Sequence, residues 1–165
     1  MAAPSAPSAP APVAAAREIG RFTFTAAEIT RFATAFDPQP AHLAGPHNAG
    51  VPVASGWHVV CAWMGFFVRS HEGAQAEALP GDHPAMISPV GVGFGLKDLK
   101  WLEPVPAGTR LVFFTAVEEA RPSGSRPGWQ ILRRCNSART EAGQLVMSFT
   151  LSHLAPMVSA EISEP

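Results

Sequence analysis

An acid and an imidazole stand five residues apart in Asp37-Pro38-Gln39-Pro40-Ala41-His42, and two prolines stiffen the path between them. Ordinary pKa values of about 3.9 and about 6.5 suit such a pair to move one proton to and from a bound substrate. Thirteen residues after His42, Ser55-Gly56-Trp57 opens a charge-free apolar stretch that runs to Val68. The start of a helix presents orphan N–H groups at the positive end of its dipole, where negative charge on a substrate is stabilised. Asp37, His42 and Gly56 thus suit the protonation, deprotonation and polarisation of one bound molecule. Each also has a plainer reading. Asp37 serves as a helix-end or Asx-turn residue ahead of a proline, His42 as a hydrogen-bonded structural histidine, and Gly56 as a point of close packing.

The elements around these residues are legible from their patterns. Ile19, Phe22 and Phe24 predict a short strand. Thr25-Ala26-Ala27-Glu28 predicts a capping box, followed by Ile29, Phe32, Ala33 and Phe36 at the spacing of a core-facing helix. Pro38 stops that helix and fixes Asp37 at its end. Ala41 to Gly50 is read as a short irregular helix and loop, and Trp57 to Arg69 as a helix apolar on all sides, surrounded by protein. Ser70 to Val90 carries no sustained period and is read as a surface excursion. Strands follow at Gly93–Leu102, Leu111–Glu118 and Trp129–Asn136, joined by turn-rich segments. In the last strand Leu145, Met147, Phe149 and Leu151 alternate with Ser148, Thr150 and Ser152. Strands joined by short turns, with helices segregated to one side, predict an α+β fold in which an antiparallel sheet wraps around the buried apolar helix. Its open edge strands predict pairing with a second copy.

The bulk composition narrows the function. The 165 residues suit one domain, with a net charge of −1, 47% apolar residues and no dense basic tract. Nucleic-acid binding through phosphate neutralisation is not expected. Met1 to Ala16 is almost wholly Ala, Pro and Ser and lacks the basic and apolar regions of a secretory signal. The expected organisation is a tail over 1–17, one domain over 18–157 and a short tail over 158–165. The apolar stretch contains Pro52, Gly56 and His58 and is short for a bilayer, so no membrane span is expected. Cys61 and Cys135 are too few for a disulfide framework or a metal site; Cys61 is expected to be a buried inert thiol, and the chain to reside in a reducing cytoplasm. Gly91-Val92-Gly93-Phe94-Gly95 has its third glycine one residue early for a dinucleotide loop and is read as a glycine-relieved strand. Trp101 and Trp129 are read as packing residues, and His47, His58, His71, His83 and His153 are given no role. Arg121, Arg126, Arg133 and Arg134 are read either as solvated strand ends or as partners for a coenzyme A phosphate.

With these segments in place, the chain resembles the MaoC-like dehydratase family, which includes the (R)-specific enoyl-CoA hydratases of the hotdog fold. Asp37-Pro38-Gln39-Pro40-Ala41-His42 resembles the family's Asp-x-Asn-Pro-x-His motif, and Ala54-Ser55-Gly56-Trp57-His58 the opening of its central helix. Leu99 to Val105 with Gly108, and Arg121 to Gly128, resemble its later strand and loop signatures. The similarity spans about Phe22 to Pro156. Gln39 stands where the motif usually has Asn, Ala44 where many members have Asp, and Ser55 where a hydratase often has His. The resemblance implies a single hotdog domain, working as a homodimer in fatty acid metabolism, that interconverts a trans-2-enoyl thioester and an (R)-3-hydroxyacyl thioester. Asp37 and His42 would hold and activate water, and Gly56, beside Ser55, would supply the oxyanion contact. Coenzyme A, or a phosphopantetheine arm, would carry the substrate, with no metal or other cofactor. A hotdog thioesterase and a non-catalytic acyl-CoA-binding subunit are the competing functions.

Overall fold

A computed structural model describes residues 15–71 and 91–157. Arg17, assigned to the tail by composition, instead begins strand β1 (Arg17–Thr23). Helix α1 (Ala26–Phe36) starts at the expected capping box. The Glu28 amide donates to Thr25 Oγ1 at 3.3 Å, and Glu28 Oε2 accepts from the Thr25 amide at 3.3 Å. Helix α2 spans Gly56–Arg69. Four strands follow: β2 (Val92–Trp101), β3 (Arg110–Pro122), β4 (Trp129–Thr140) and β5 (Leu145–Pro156). Most of the expected surface excursion lies outside the described residues.

All strand pairs are antiparallel, and the sheet runs β1-β3-β4-β5-β2. The successive strands β3, β4 and β5 form a meander, while β1 and β2 take the two edges. Leu111 and Phe113 of β3, Ala138 of β4, and Met147, Phe149 and Leu151 of β5 point to one face, in the alternation their sequence shows. Val59, Val60, Trp63 and Phe67 of α2 pack onto that face. Trp63 is the centre of the contact: it stacks on Phe67 at 4.8 Å, meets Phe149 edge-on, and donates its indole N–H to the Phe114 carbonyl at 3.1 Å. A buried indole keeps its donor only by finding such a partner.

Helix α2 is not apolar-buried on all sides, which corrects the expectation. Trp57, Met64 and Val68 are 52%, 37% and 37% exposed, and Cys61 between them is exposed as well. These positions recur at i, i+4, i+7 and i+11, a single stripe turned away from the sheet. Hydrophobicity alone could not distinguish a face packed on the sheet from one left open by the chain. Among the described residues, no helix is long and apolar enough to cross a membrane.

His58 joins α2 to α1. Its ring stacks on Phe32 at 4.5 Å and 3°, with Phe24 edge-on at 5.0 Å. It is 9% exposed, its Nδ1 lacks a partner among the described residues, and burial lowers its pKa from the ordinary 6.5. A lowered imidazole pKa leaves the unfolded chain with more bound protons near and below pH 6.5, so stability falls as pH drops through that range. Replacing His58 with Phe is expected to raise stability by about 1 kcal/mol at neutral pH, because an orphaned polar atom is removed. The gain should widen below pH 6.5, as thermal denaturation across pH would show. A variant less stable than the parent at every pH would refute this account.

Candidate functional site

The ends of α1 and the start of α2 are brought together by one turn. The Ala54 amide donates to the Val105 carbonyl at 2.8 Å, and Ala107 donates back to Pro52 at 2.9 Å. The same turn grips the segment before α1, where Phe24 and Thr109, and Gly108 and Phe24, are bonded at 2.9 and 2.8 Å. Gly108 sits at φ +92°, a conformation that favours glycine. The resemblance segment ending in Val105 and Gly108 is thus a clamp on both helix approaches.

Asp37 is the C-cap of α1, its amide bonded to Ala33 at 2.9 Å. The chain then turns tightly: Gln39 donates to the Asp37 carbonyl at 2.8 Å, and His42 to the Gln39 carbonyl at 2.9 Å. Residues Pro40–His42 form a 3-10 turn with the proline at its start, where no amide is missed. Asn48 secures the outside of the loop, donating through Nδ2 to Leu43 at 2.8 Å and Ala41 at 3.2 Å. The sequence reading gave Asn48 no part; its distance from the motif left no local signal.

This path places the two predicted groups face to face. His42 Nε2 lies 3.4 Å from Asp37 Oδ2, with both side chains about one-sixth exposed, at 15% and 17%. His42 Nδ1 is 2.7 Å from the Val53 carbonyl. A carbonyl only accepts, so Nδ1 carries the proton, and in the neutral ring Nε2 is a bare acceptor turned toward Asp37. Two acceptors facing each other require a proton between them, either on the imidazole or from a donor such as water.

Asp37 has two further donors. Ser55 Oγ donates to Oδ2 at 2.6 Å, and Gln39 Nε2 donates to Oδ1 at 2.8 Å. The Ser55 bond above all, then the Gln39 bond, hold the carboxyl below its ordinary range, against the opposing effect of burial. Gln39, which replaces the usual Asn, is therefore a carboxylate donor here. Ser55 is 1% exposed and is also the N-cap of α2, accepting from the Trp57 amide at 3.2 Å.

Gly56 follows as the first residue of α2, and among the described residues its N–H has no acceptor. A Cβ on Gly56 would run into the Trp101 indole, with Nε1 only 2.5 Å away. The packing reading of Gly56 is thus met, and its amide stays open to a ligand among the described residues. A cavity of about 310 Å³ opens beside it, walled by Val59, Trp101, Leu102 and Val146. Asp37 and His42 do not line that cavity; Ser55, which donates to Asp37, is the residue next to Gly56 in the chain. Of the four arginines considered earlier, Arg133 pairs with Glu118 at 3.0 Å, Arg126 covers the Trp129 ring, and Arg134 donates to His153. Among the described residues, no three His, Cys, Asp or Glu side chains gather as metal ligands.

The fold as a whole is similar to that of several solved structures. A MaoC-like dehydratase from Rhodospirillum rubrum superposes with a TM-score of 0.66 and 28% identity, covering 86% of this chain and 90% of that one. An (R)-hydratase from Pseudomonas aeruginosa gives 0.62 at 20% identity over 86% and 80% of the two chains. A 3R-hydroxyacyl-ACP dehydratase complex from Mycobacterium tuberculosis gives 0.60 at 17% identity over 86% and 95%. The sequence matches no family model and no curated protein.

Replacing Ser55 with Ala should raise the Asp37 pKa toward the ordinary carboxylate value. Stability due to a lowered carboxyl pKa is present above that value and is lost as pH falls through the lower, folded one. In the variant the folded and unfolded values approach each other, so this loss should shrink and the acid limb should flatten. The midpoint near neutrality should also drop, through a cap loss of about 1 kcal/mol. Thermal unfolding between pH 2 and 7 measures both; an unchanged acid limb would refute the assigned role of the hydroxyl.

Proposed function

We propose that this chain, whose fold is that of the MaoC-like hotdog dehydratases, is a hydratase that adds water across the double bond of a trans-2-enoyl thioester to give an (R)-3-hydroxyacyl thioester, or runs the reverse dehydration. The observation that carries the proposal is the fixed tautomer of His42, whose bare Nε2 faces Asp37 Oδ2 at 3.4 Å. A water seated between them donates one hydrogen to each. Its oxygen is left free to attack C3 of the substrate.

The roles follow from the partners of each group. Asp37 is already served by Ser55 and Gln39, which weakens it as a proton acceptor and suits it to orient the water. His42 Nε2 takes the proton as the C3–O bond forms, and the imidazolium beside the carboxylate returns it to C2 on the same face. The π electrons of the alkene move toward the thioester oxygen during attack and return to form the C2–H bond. The Gly56 N–H, at the positive end of α2, stabilises that oxygen. Atoms balance with one water added, and the thioester itself activates the alkene, so no metal or redox group takes part. The carrier is coenzyme A or a phosphopantetheine arm. The cavity beside Gly56 takes substrate carbon against Val59, Leu102 and Val146, with Glu103 also on its wall.

We place a second copy against β2, whose outer edge is unpaired among the described residues, and against the exposed stripe of α2. Phe94 and Trp101 on β2 are 58% and 46% exposed, and Trp101 meets Trp57 of that stripe edge-on at 5.4 Å.

Mixing the protein with crotonyl-CoA and a longer trans-2-enoyl-CoA should bleach the enoyl-thioester absorbance without releasing free thiol. Asp37→Asn and His42→Ala should each lower kcat by roughly 100- to 10,000-fold, the range for loss of an acid–base group. Free thiol in place of hydroxyacyl product would make the protein a thioesterase, and full turnover in both variants would exclude the dyad.

A further inference from the structure

Strand β2 carries two one-residue bulges against β5. The second falls between the pairs Lys97–Thr150 and Lys100–Ser148, where three steps on β2 match two on β5. Asp98, inside it, adopts φ +53°, a left-handed conformation uncommon for a residue with a side chain. Such an insertion inverts the alternation of every residue beyond it. Lys97 pairs with outward Thr150, so an unbroken strand would turn Trp101 outward as well. Instead Trp101 pairs with Met147, which is fully buried on the helix side, and its indole swings onto the first residue of α2.

The position reached is specific. Nε1 of Trp101 is 2.5 Å from where a Gly56 Cβ would be. Standard bond lengths put that point about 2.5 Å from the Gly56 nitrogen, so the two nitrogens are at most about 5 Å apart. Two N–H donors separated by up to about 5.8 Å can both reach one oxygen at about 2.9 Å. Trp57 braces the indole edge-on, with ring centres 5.4 Å apart. Both Gly56 and Trp101 line the same cavity. Whereas the Trp63 N–H is bonded to a carbonyl, the Trp101 N–H has no acceptor among the described residues.

We propose that Trp101 is a catalytic residue: its indole N–H is a second donor to the thioester oxygen, completing with the Gly56 amide a two-donor oxyanion hole. The inference rests on the hydratase reading above and adds a group to it. An enolate-like oxygen has lone pairs for two donors, and a helix start supplies one backbone amide aimed at it. The glycine is then required twice, to let the indole approach and to offer its own amide.

The test replaces Trp101 with benzothienylalanine, which keeps the bicyclic shape and exchanges N–H for sulfur, alongside Trp101→Phe. With enoyl-CoA substrate, kcat should fall on the order of 100-fold in the isostere, with KM changed by less than about threefold. In parallel, proton–nitrogen NMR of the four indoles, assigned with Trp101→Phe, should show the Trp101 N–H moving downfield when wild-type protein is saturated with butyryl-CoA. That signal reads the bond without any turnover. Turnover by wild type with an unaffected isostere, or saturation without a Trp101 shift, overturns the second donor and leaves the hydratase reading standing. A downfield shift without hydration of any enoyl thioester keeps the donor and overturns the hydratase. Failure to bind either thioester overturns both.

Discussion

The hydroxyl of Ser55 is the joint on which the site depends. It is almost wholly buried, donates to the Asp37 carboxylate at 2.6 Å, and accepts from the second amide of α2. One small side chain therefore fixes the end of one helix against the start of the next. It also fixes where the charge of Asp37 lies relative to the orphan amides of α2. A neutral donor is well suited here: it leaves the carboxylate charged and adds no competing charge beside His42.

The sheet supplies the precision behind that joint. The Glu103–Thr109 turn bonds to both Phe24 and the Pro52–Ala54 segment, so the approaches to α1 and α2 are registered against one rigid piece of backbone. The turn itself is anchored by β3 and by the Leu102 amide, which donates to Val146 of β5 at 2.8 Å. Trp63, Phe67 and Phe149 then hold α2 down on the sheet along its length. The geometry of the candidate site, set by side chains at helix ends and in a short turn, is thereby tied to ladders and to a packed core.

Much of this was legible in the chain. The Thr25–Glu28 capping box, the stop at Pro38, the proline-stiffened Asp37–His42 spacing and the alternation of the last strand all rest on short-range rules, and each appears where those rules place it. What escaped depends on distant pairing. The exposure of Cys61 follows from which side of α2 meets the sheet, and a uniformly apolar helix does not declare that side. The inward turn of Trp101 depends on a single extra residue in β2, marked only by a left-handed Asp98 that no propensity rule flags. Gln39 looked like a lengthened Asn, yet in the fold its amide bonds the Asp37 carboxylate. Asn48 and the Val53 carbonyl, which set the loop and the imidazole tautomer, are ordinary residues until the chain is folded.

The two bulges of β2 also bear on which chains can sit beside it. A regular edge offers the same row of donors and acceptors to any extended peptide. This edge is interrupted near Gly95 and again near Asp98, so its free amides and carbonyls come in short, unevenly spaced groups. A strand without matching interruptions would fall out of step after a few residues, while one carrying the same pair, run in the opposite direction, can stay in phase. The irregularity works as a key cut into the backbone, discouraging stray strand addition while leaving the edge open to its own kind.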